Sequence, residues 1–174
     1  MNKPILPGST APALDVKSLN ADHPFSIAQM EPKNFKLLFF YRGVHCPKCK
    51  DQLEELNERV EEFRKQGIEV AAISMDSEER ARRQRQDWNI GNLRIGYEMS
   101  REDALNWGLY LSRKEKDAEP DLFSEPGIAV LYPDDTIYAL YYQTVPFARP
   151  MLDDLLSGLD FIAKNDYPIR GKVA

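Results

Sequence analysis

The sequence predicts an α/β protein, a three-layer sandwich whose central mixed sheet is flanked by helices, and three observations carry that expectation. Short apolar runs recur at strand length, and the segments between them carry apolar residues at spacings of three and four. Late in the chain, a proline and two aspartates join two further runs as an antiparallel hairpin, which makes the sheet mixed. With 174 residues, 43% of them hydrophobic, the chain is expected to form one domain (1–174) that buries its own core without disulfides or metals. There is no internal repeat, low-complexity tract or interdomain linker.

The first clear element is Lys36 to Arg42 (KLLFFYR), a nearly continuous apolar run of the kind buried on both faces of a sheet. It ends at Gly43. Beyond that break, Cys46, Cys49, Leu53, Leu56, Val60 and Phe63 share one helical stripe, which predicts a single amphipathic helix closed at Gly67. Ile68 to Met75 (IEVAAISM) reads as a second buried strand and completes a strand, helix, strand unit.

A second helix is expected over Asp76 to Trp88, with Ser77 as N-cap and Glu78 and Glu79 complementing the helix dipole. Leu93 to Met99 supplies another strand, and Ser100 caps a short helix through Trp107. Ser112 to Pro126 is charged and aperiodic and reads as a long surface excursion. Ile128 to Tyr132 and Thr136 to Gln143 form the hairpin around Pro133-Asp134-Asp135. A last helix, from about Arg149 to Lys164, offers Leu152, Leu155, Leu156 and Leu159 to a sheet face, and Tyr167 to Ala174 is extended.

Charge narrows the function classes. The net charge is -5 and the pI is near 5.2, which gives no electrostatic footing for nucleic acid. The cluster Arg80, Arg82, Arg83 and Arg85 is interleaved with Glu78, Glu79 and Asp87 and reads as a solvated helix face. Met1 to Thr10 has no apolar run of signal-peptide length, and no segment approaches ~18 apolar residues, so neither a membrane partner nor export is expected. The expected location is the cytoplasm.

The only two cysteines are separated by two residues, which is not the framework that staples small secreted domains. Cys46-Pro47-Lys48-Cys49 instead opens a helix directly after a buried strand, the setting of a redox-active pair. Free backbone N–H groups and the positive end of the helix dipole favour a thiolate at Cys46, which makes it the expected nucleophile. Cys49, one turn further in, is the expected resolving thiol, through a reversible intramolecular disulfide. Pro47 suits the first helical turn and stiffens the motif. Lys48, His45 and Arg42 are candidate sources of positive potential at the thiolate. The competing readings are that both thiols merely fill the core, or that they bind zinc. Zinc needs four ligands, and His23 lies far from the pair, so no metal or other cofactor is expected.

Pro7-Gly8-Ser9-Thr10-Ala11-Pro12-Ala13-Leu14, Phe39 to Cys49 (FFYRGVHCPKC) and Ile73-Ser74-Met75-Asp76-Ser77 together resemble the alkyl hydroperoxide reductase and thiol-specific antioxidant group, peroxiredoxin-like members of the thioredoxin superfamily. The resemblance spans most of the chain. It implies a thioredoxin-like three-layer sandwich and an antioxidant thiol-dependent oxidoreductase. A thiol reductant protein or a small thiol would supply electrons to a disulfide or peroxide substrate, and a homodimer is compatible with it.

Two departures shape the expected activity. Phe39 and Gly43 occupy the offsets from Cys46 where typical peroxiredoxins carry Pro and Thr or Ser. Pro126, preceded by Glu125, stands where the family commonly has an Arg and where thioredoxins carry a cis-proline that presents backbone to a disulfide partner. Arg149 could replace the lost Arg, but its place before the last helix reads as an exposed helix start. The leading expectation is therefore thiol–disulfide exchange. Its alternatives are a thiol peroxidase acting on hydrogen peroxide or organic hydroperoxides and a noncatalytic binding module.

Overall fold

The computed structural model describes residues 4–174; Met1 to Lys3, the start of the Met1 to Thr10 stretch expected to lack a signal-peptide core, lie outside the described residues. The sequence places its most apolar run at the centre of the sheet. All six residues of strand β3 (Phe35–Phe40) are buried. β3 pairs in parallel with β4 (Ile68–Ile73) and antiparallel with β8 (Gly127–Leu131).

Outward from this centre, β4 pairs with β5 (Arg94–Tyr97), then β1 (Asp15–Ser18) and β2 (Phe25–Ser26), while β8 pairs with β9 (Ile137–Tyr142) at the other edge. The resulting seven-stranded mixed sheet has helices on both sides, as expected. Lys36, almost fully buried, donates from Nζ to the Ile27 carbonyl (2.9 Å) and to Asp135 (2.6 Å), fastening the β8–β9 turn to the central strand.

Alternation along β3 divides the core. Leu37, Phe39 and Tyr41 face one side with Cys46, Cys49, Leu53 and Leu56 of helix α1 (Pro47–Glu58), Phe63 of α2 (Val60–Lys65) and Leu152, Leu155 and Leu159 of α5 (Leu152–Asn165). Leu38 and Phe40 face the other side with Ile73, Trp107 and Leu131, beside α4 (Arg101–Asn106). Helix α3 (Glu78–Asp87) packs Ala81 into the first cluster and carries the Ser77 N-cap expected of it.

Three local features differ from expectation. The helix after Cys46 breaks at Arg59 (φ -107, ψ 9), whose guanidinium pairs with Glu55, Glu62 and Asp153. The excursion Ser112 to Pro126 is not purely a surface loop. β6 (Leu111–Arg113) and β7 (Leu122–Ser124) form a separate hairpin that buries Glu119, Phe123, Ser124 and Glu125. β1, β2 and the one-turn 3-10 helix Ile27–Gln29 were too short and too polar to show a period. Among the described residues, no helix is long and apolar enough to cross a membrane.

Candidate active site

The site forms where β3 runs out. Gly43 turns the chain at φ +130, and the Cys46 N–H donates back to the Gly43 carbonyl at 3.1 Å. That turn leaves Cys46 as the N-cap of α1, with extended backbone (φ -105, ψ 106) and Pro47 in the first helical position. The Cys46 sulfur accepts from the Cys49 N–H at 3.3 Å, taking up one of the donors that a helix start leaves free. Both cysteines are free thiols and almost fully buried, Cys46 at 1% and Cys49 at 0% exposure.

The two thiols differ sharply in acidity. A hydrogen bond from the Cys49 thiol does most to pull Cys46 down to about 6; the Cys49 backbone N–H, Arg42 and Arg149 add to it, against the opposing effect of burial. Burial, and then the bond and charge of Cys46, hold Cys49 well above the ordinary thiol range. Near neutral pH the pair is therefore a thiolate at Cys46 beside a protonated thiol at Cys49.

Arg149 corrects the sequence reading. It is not an exposed helix-start residue but lies half-buried on the strap between β9 and α5. Its Nη2 donates to the Cys49 sulfur at 3.2 Å and approaches the Cys46 sulfur at 3.8 Å. Nε donates to the Pro146 carbonyl at 2.7 Å and Nη1 to Gln52 Oε1 at 2.7 Å, so the fork is held on three sides. Gln143 steadies the strap by donating to the carbonyls of Phe147 and Ala148. The sequence signal available was the bracket of Pro146 and Pro150, which stiffens the backbone around a single arginine.

Arg42 also belongs to the site. It favours the Cys46 thiolate, pairs with Glu125 at 3.1 Å and Glu119 at 3.6 Å, and lies 4.8 Å from the centre of the Phe123 ring. The buried carboxylates of the β6–β7 segment are thus the anchors of this arginine.

The remaining candidates separate. Lys48 is exposed on the first turn of α1 and lines a groove of about 450 Å³ with Gln52, Phe147, Arg149 and Met151. His45 does not supply positive potential: burial first, then Arg42 and Arg80, push its pKa down to about 4, and Arg80 Nη2 donates to its Nδ1 at 3.2 Å. A ring that accepts at Nδ1 is neutral. Pro126 is not a cis-proline, since no peptide bond among the described residues is cis. It is an ordinary junction into β8, with its carbonyl accepting from the Gln143 N–H at 2.9 Å. No group of side chains that could hold a metal ion occurs among the described residues.

A mixed sheet flanked by helices, with a cysteine thiolate capping the helix after the central strand, defines a thiol-dependent oxidoreductase of peroxiredoxin-like fold. Residues 7–139 match the family model of the AhpC/TSA family, and the chain belongs to that family. Solved structures that share its fold include a cysteine-to-serine mutant of peroxiredoxin 6 from Arenicola marina (TM-score 0.78, 15% identity, covering 93% of this chain and 75% of that one). Reduced 2-Cys peroxiredoxin from Plasmodium vivax aligns with a TM-score of 0.75 and 17% identity, covering 94% of this chain and 84% of that one. Mycobacterium tuberculosis AhpC aligns with a TM-score of 0.73 and 15% identity, covering 95% of this chain and 97% of that one. Comparison with curated protein sequences finds no match.

Proposed function

We propose that this chain is a thiol peroxidase that reduces hydrogen peroxide or an organic hydroperoxide, with Cys46 as the nucleophile and Cys49 as the resolving thiol. The observation that carries the reading is the Arg149 guanidinium, aimed at both sulfurs and fixed by Gln52 and the Pro146 carbonyl. It favours peroxide reduction over thiol–disulfide exchange, because two of the grounds for exchange, a missing arginine and a cis Pro126, do not hold, while the third, the absent Thr or Ser hydroxyl at position 43, stands. An arginine stands at the thiolate, and Pro126 is trans.

In the first step the Cys46 thiolate attacks the terminal peroxide oxygen. A sulfur–oxygen bond forms, the O–O bond breaks, and the electron pair leaves on the departing alkoxide or hydroxide, which takes a proton from solvent. Arg149 and Arg42 are placed to oppose that developing negative charge at low reorganisation cost. The Cys49 thiol then attacks the Cys46 sulfenic acid, forming the Cys46–Cys49 disulfide and releasing water. Two thiols from a dithiol protein or from a small thiol restore both cysteines and leave as a disulfide. The high proton affinity of Cys49 suits this order, since it stays protonated until the sulfenic acid has formed.

Pro47 stiffens the pair, and the exposed Lys48 adds positive charge at the groove beside it. A reducing compartment such as the cytoplasm would keep both thiols in the form described. We take residues 1–174 to act as one domain, with a homodimer as a compatible assembly.

Stopped-flow oxidation of the reduced protein by hydrogen peroxide, by a bulkier organic hydroperoxide and by a model disulfide tests the assignment. Fast peroxide consumption that disappears in Cys46→Ser is expected. Slow peroxide reaction with fast disulfide exchange would instead make the chain a disulfide reductase, and neither reaction would make it a noncatalytic binding module.

A further inference from the structure

The turn that presents Cys46 is held by a residue that lies beyond α1, α2 and β4 in sequence. Asp76, just past the end of β4, is 1% exposed. Its Oδ2 accepts from the Val44 N–H at 2.8 Å, and its Oδ1 accepts from Arg80 Nε at 3.0 Å. The backbone of Asp76 is itself fixed: its N–H donates to Ser74 Oγ at 3.2 Å, and its carbonyl accepts from the Glu98 N–H at 2.9 Å.

The carboxylate also sets what can stand at position 43. A Cβ built on Gly43 would fall 2.4 Å from Asp76 Oδ1 and 2.7 Å from Cγ, well inside any real contact. Glycine at position 43 is what leaves room for this carboxylate beside the turn. Val44 is the second residue of the turn closed by the Cys46 N–H and the Gly43 carbonyl, so a bond to Val44 N–H constrains the residue that carries the nucleophilic sulfur. Arg80 extends the brace by donating from Nη2 to His45 Nδ1 at 3.2 Å and to the Ala118 carbonyl at 3.0 Å, which ties the loop between β6 and β7 over the site.

From this geometry we infer that Asp76 is a positioning residue for the Cys46 thiolate, acting through the 43–46 turn and through Arg80 on His45. The inference rests on Cys46 being the nucleophile. The charged and titratable groups that face its sulfur are Arg42 at the end of β3, Arg149 on the strap and Cys49 on α1, so Asp76 acts by holding the turn rather than by touching sulfur.

The test is the pH dependence of Cys46 alkylation by iodoacetamide in the full chain, without peroxide. Asp76→Ala should raise the midpoint and slow alkylation near neutral pH about five- to tenfold, the effect of loosening a helix-start cap. Asp76→Asn, which keeps an acceptor for Val44 N–H, should recover most of that loss. Gly43→Ala should shift the midpoint in the same direction by displacing the carboxylate. An unchanged midpoint and rate in folded Asp76→Ala, or in Gly43→Ala if Asp76→Ala does not fold, would overturn the inference. Because no peroxide is used, a shifted alkylation profile in a protein that consumes no peroxide would uphold the positioning role while removing the peroxidase reading.

Discussion

Replacing Arg149 by Met keeps most of the stem packing and removes the charge that bridges the two sulfurs. At 3.8 Å Arg149 acts on Cys46 through its charge, behind the bonds from Cys49 and the effect of Arg42, and solvent beside the half-buried strap weakens it further, so Cys46 should rise from about 6 by at most roughly one unit. At pH ~7 the thiolate fraction then falls from about nine-tenths to no less than about one-half. Iodoacetamide alkylation should slow by up to about twofold at that pH and recover fully above pH ~8.5. Peroxide reduction should fall much further, about 10²–10³-fold, because the guanidinium also faces the charge that builds on the departing oxygen. The paired assay is alkylation and single-turnover peroxide oxidation over the same pH series. If peroxide reduction falls only as much as alkylation, Arg149 tunes the thiolate and does nothing for the transition state. If neither changes, the contact has no functional weight.

Gly43→Ala should destabilise the fold by more than about 2 kcal/mol in urea unfolding, since a left-handed φ and a collision with the Asp76 carboxylate add together; a loss below about 0.5 kcal/mol would mean the turn is not constrained as described. His45 has a folded pKa of about 4, below its ordinary 6.5, so its neutral ring contributes stability that is fully present above 6.5 and is lost as pH falls toward 4. Discounted for a half-exposed ring, that contribution is about 1–2 kcal/mol; the wild type should lose that much more stability than His45→Leu between pH ~7.5 and ~4.5, and parallel curves would contradict the burial argument. In Cys49→Ser, oxidation of Cys46 should persist while the intramolecular disulfide no longer forms, so dimedone should capture a sulfenic acid that the wild type does not accumulate. Equal capture in both proteins would deny Cys49 its resolving role.

What the sequence could disclose followed the range of each interaction. Cys46 and Cys49 were legible because their setting is local: an apolar strand, a glycine break and a helical stripe within one stretch of chain. Central strands β3, β4 and β8 were legible because both of their faces are buried. β1, β2, β6 and β7 were not, because two to four residues carry too little period to register and Ser, Arg and Lys interrupt their apolar pattern. Arg149 was misjudged for a different reason. Its contact with Cys49 spans 100 residues and depends on how β9 returns across the sheet, which no local pattern encodes. The role of Asp76 was equally hidden, because its bond to the Val44 N–H spans 32 residues. Pro126 misled because its sequence position matched a thioredoxin feature whose backbone conformation it does not share.

The central claim is that Cys46 takes oxygen from a peroxide and Cys49 closes the disulfide. Intact-mass and peptide mapping after reduced protein is mixed with one equivalent of hydrogen peroxide tests it most directly, with Cys49→Ser alongside. The expected result is a Cys46–Cys49 disulfide in the wild type and a single added oxygen on Cys46 in the variant. A wild-type protein that remains a free dithiol toward peroxide, yet is readily oxidised by a model disulfide, would contradict the claim and return the pair to thiol–disulfide exchange.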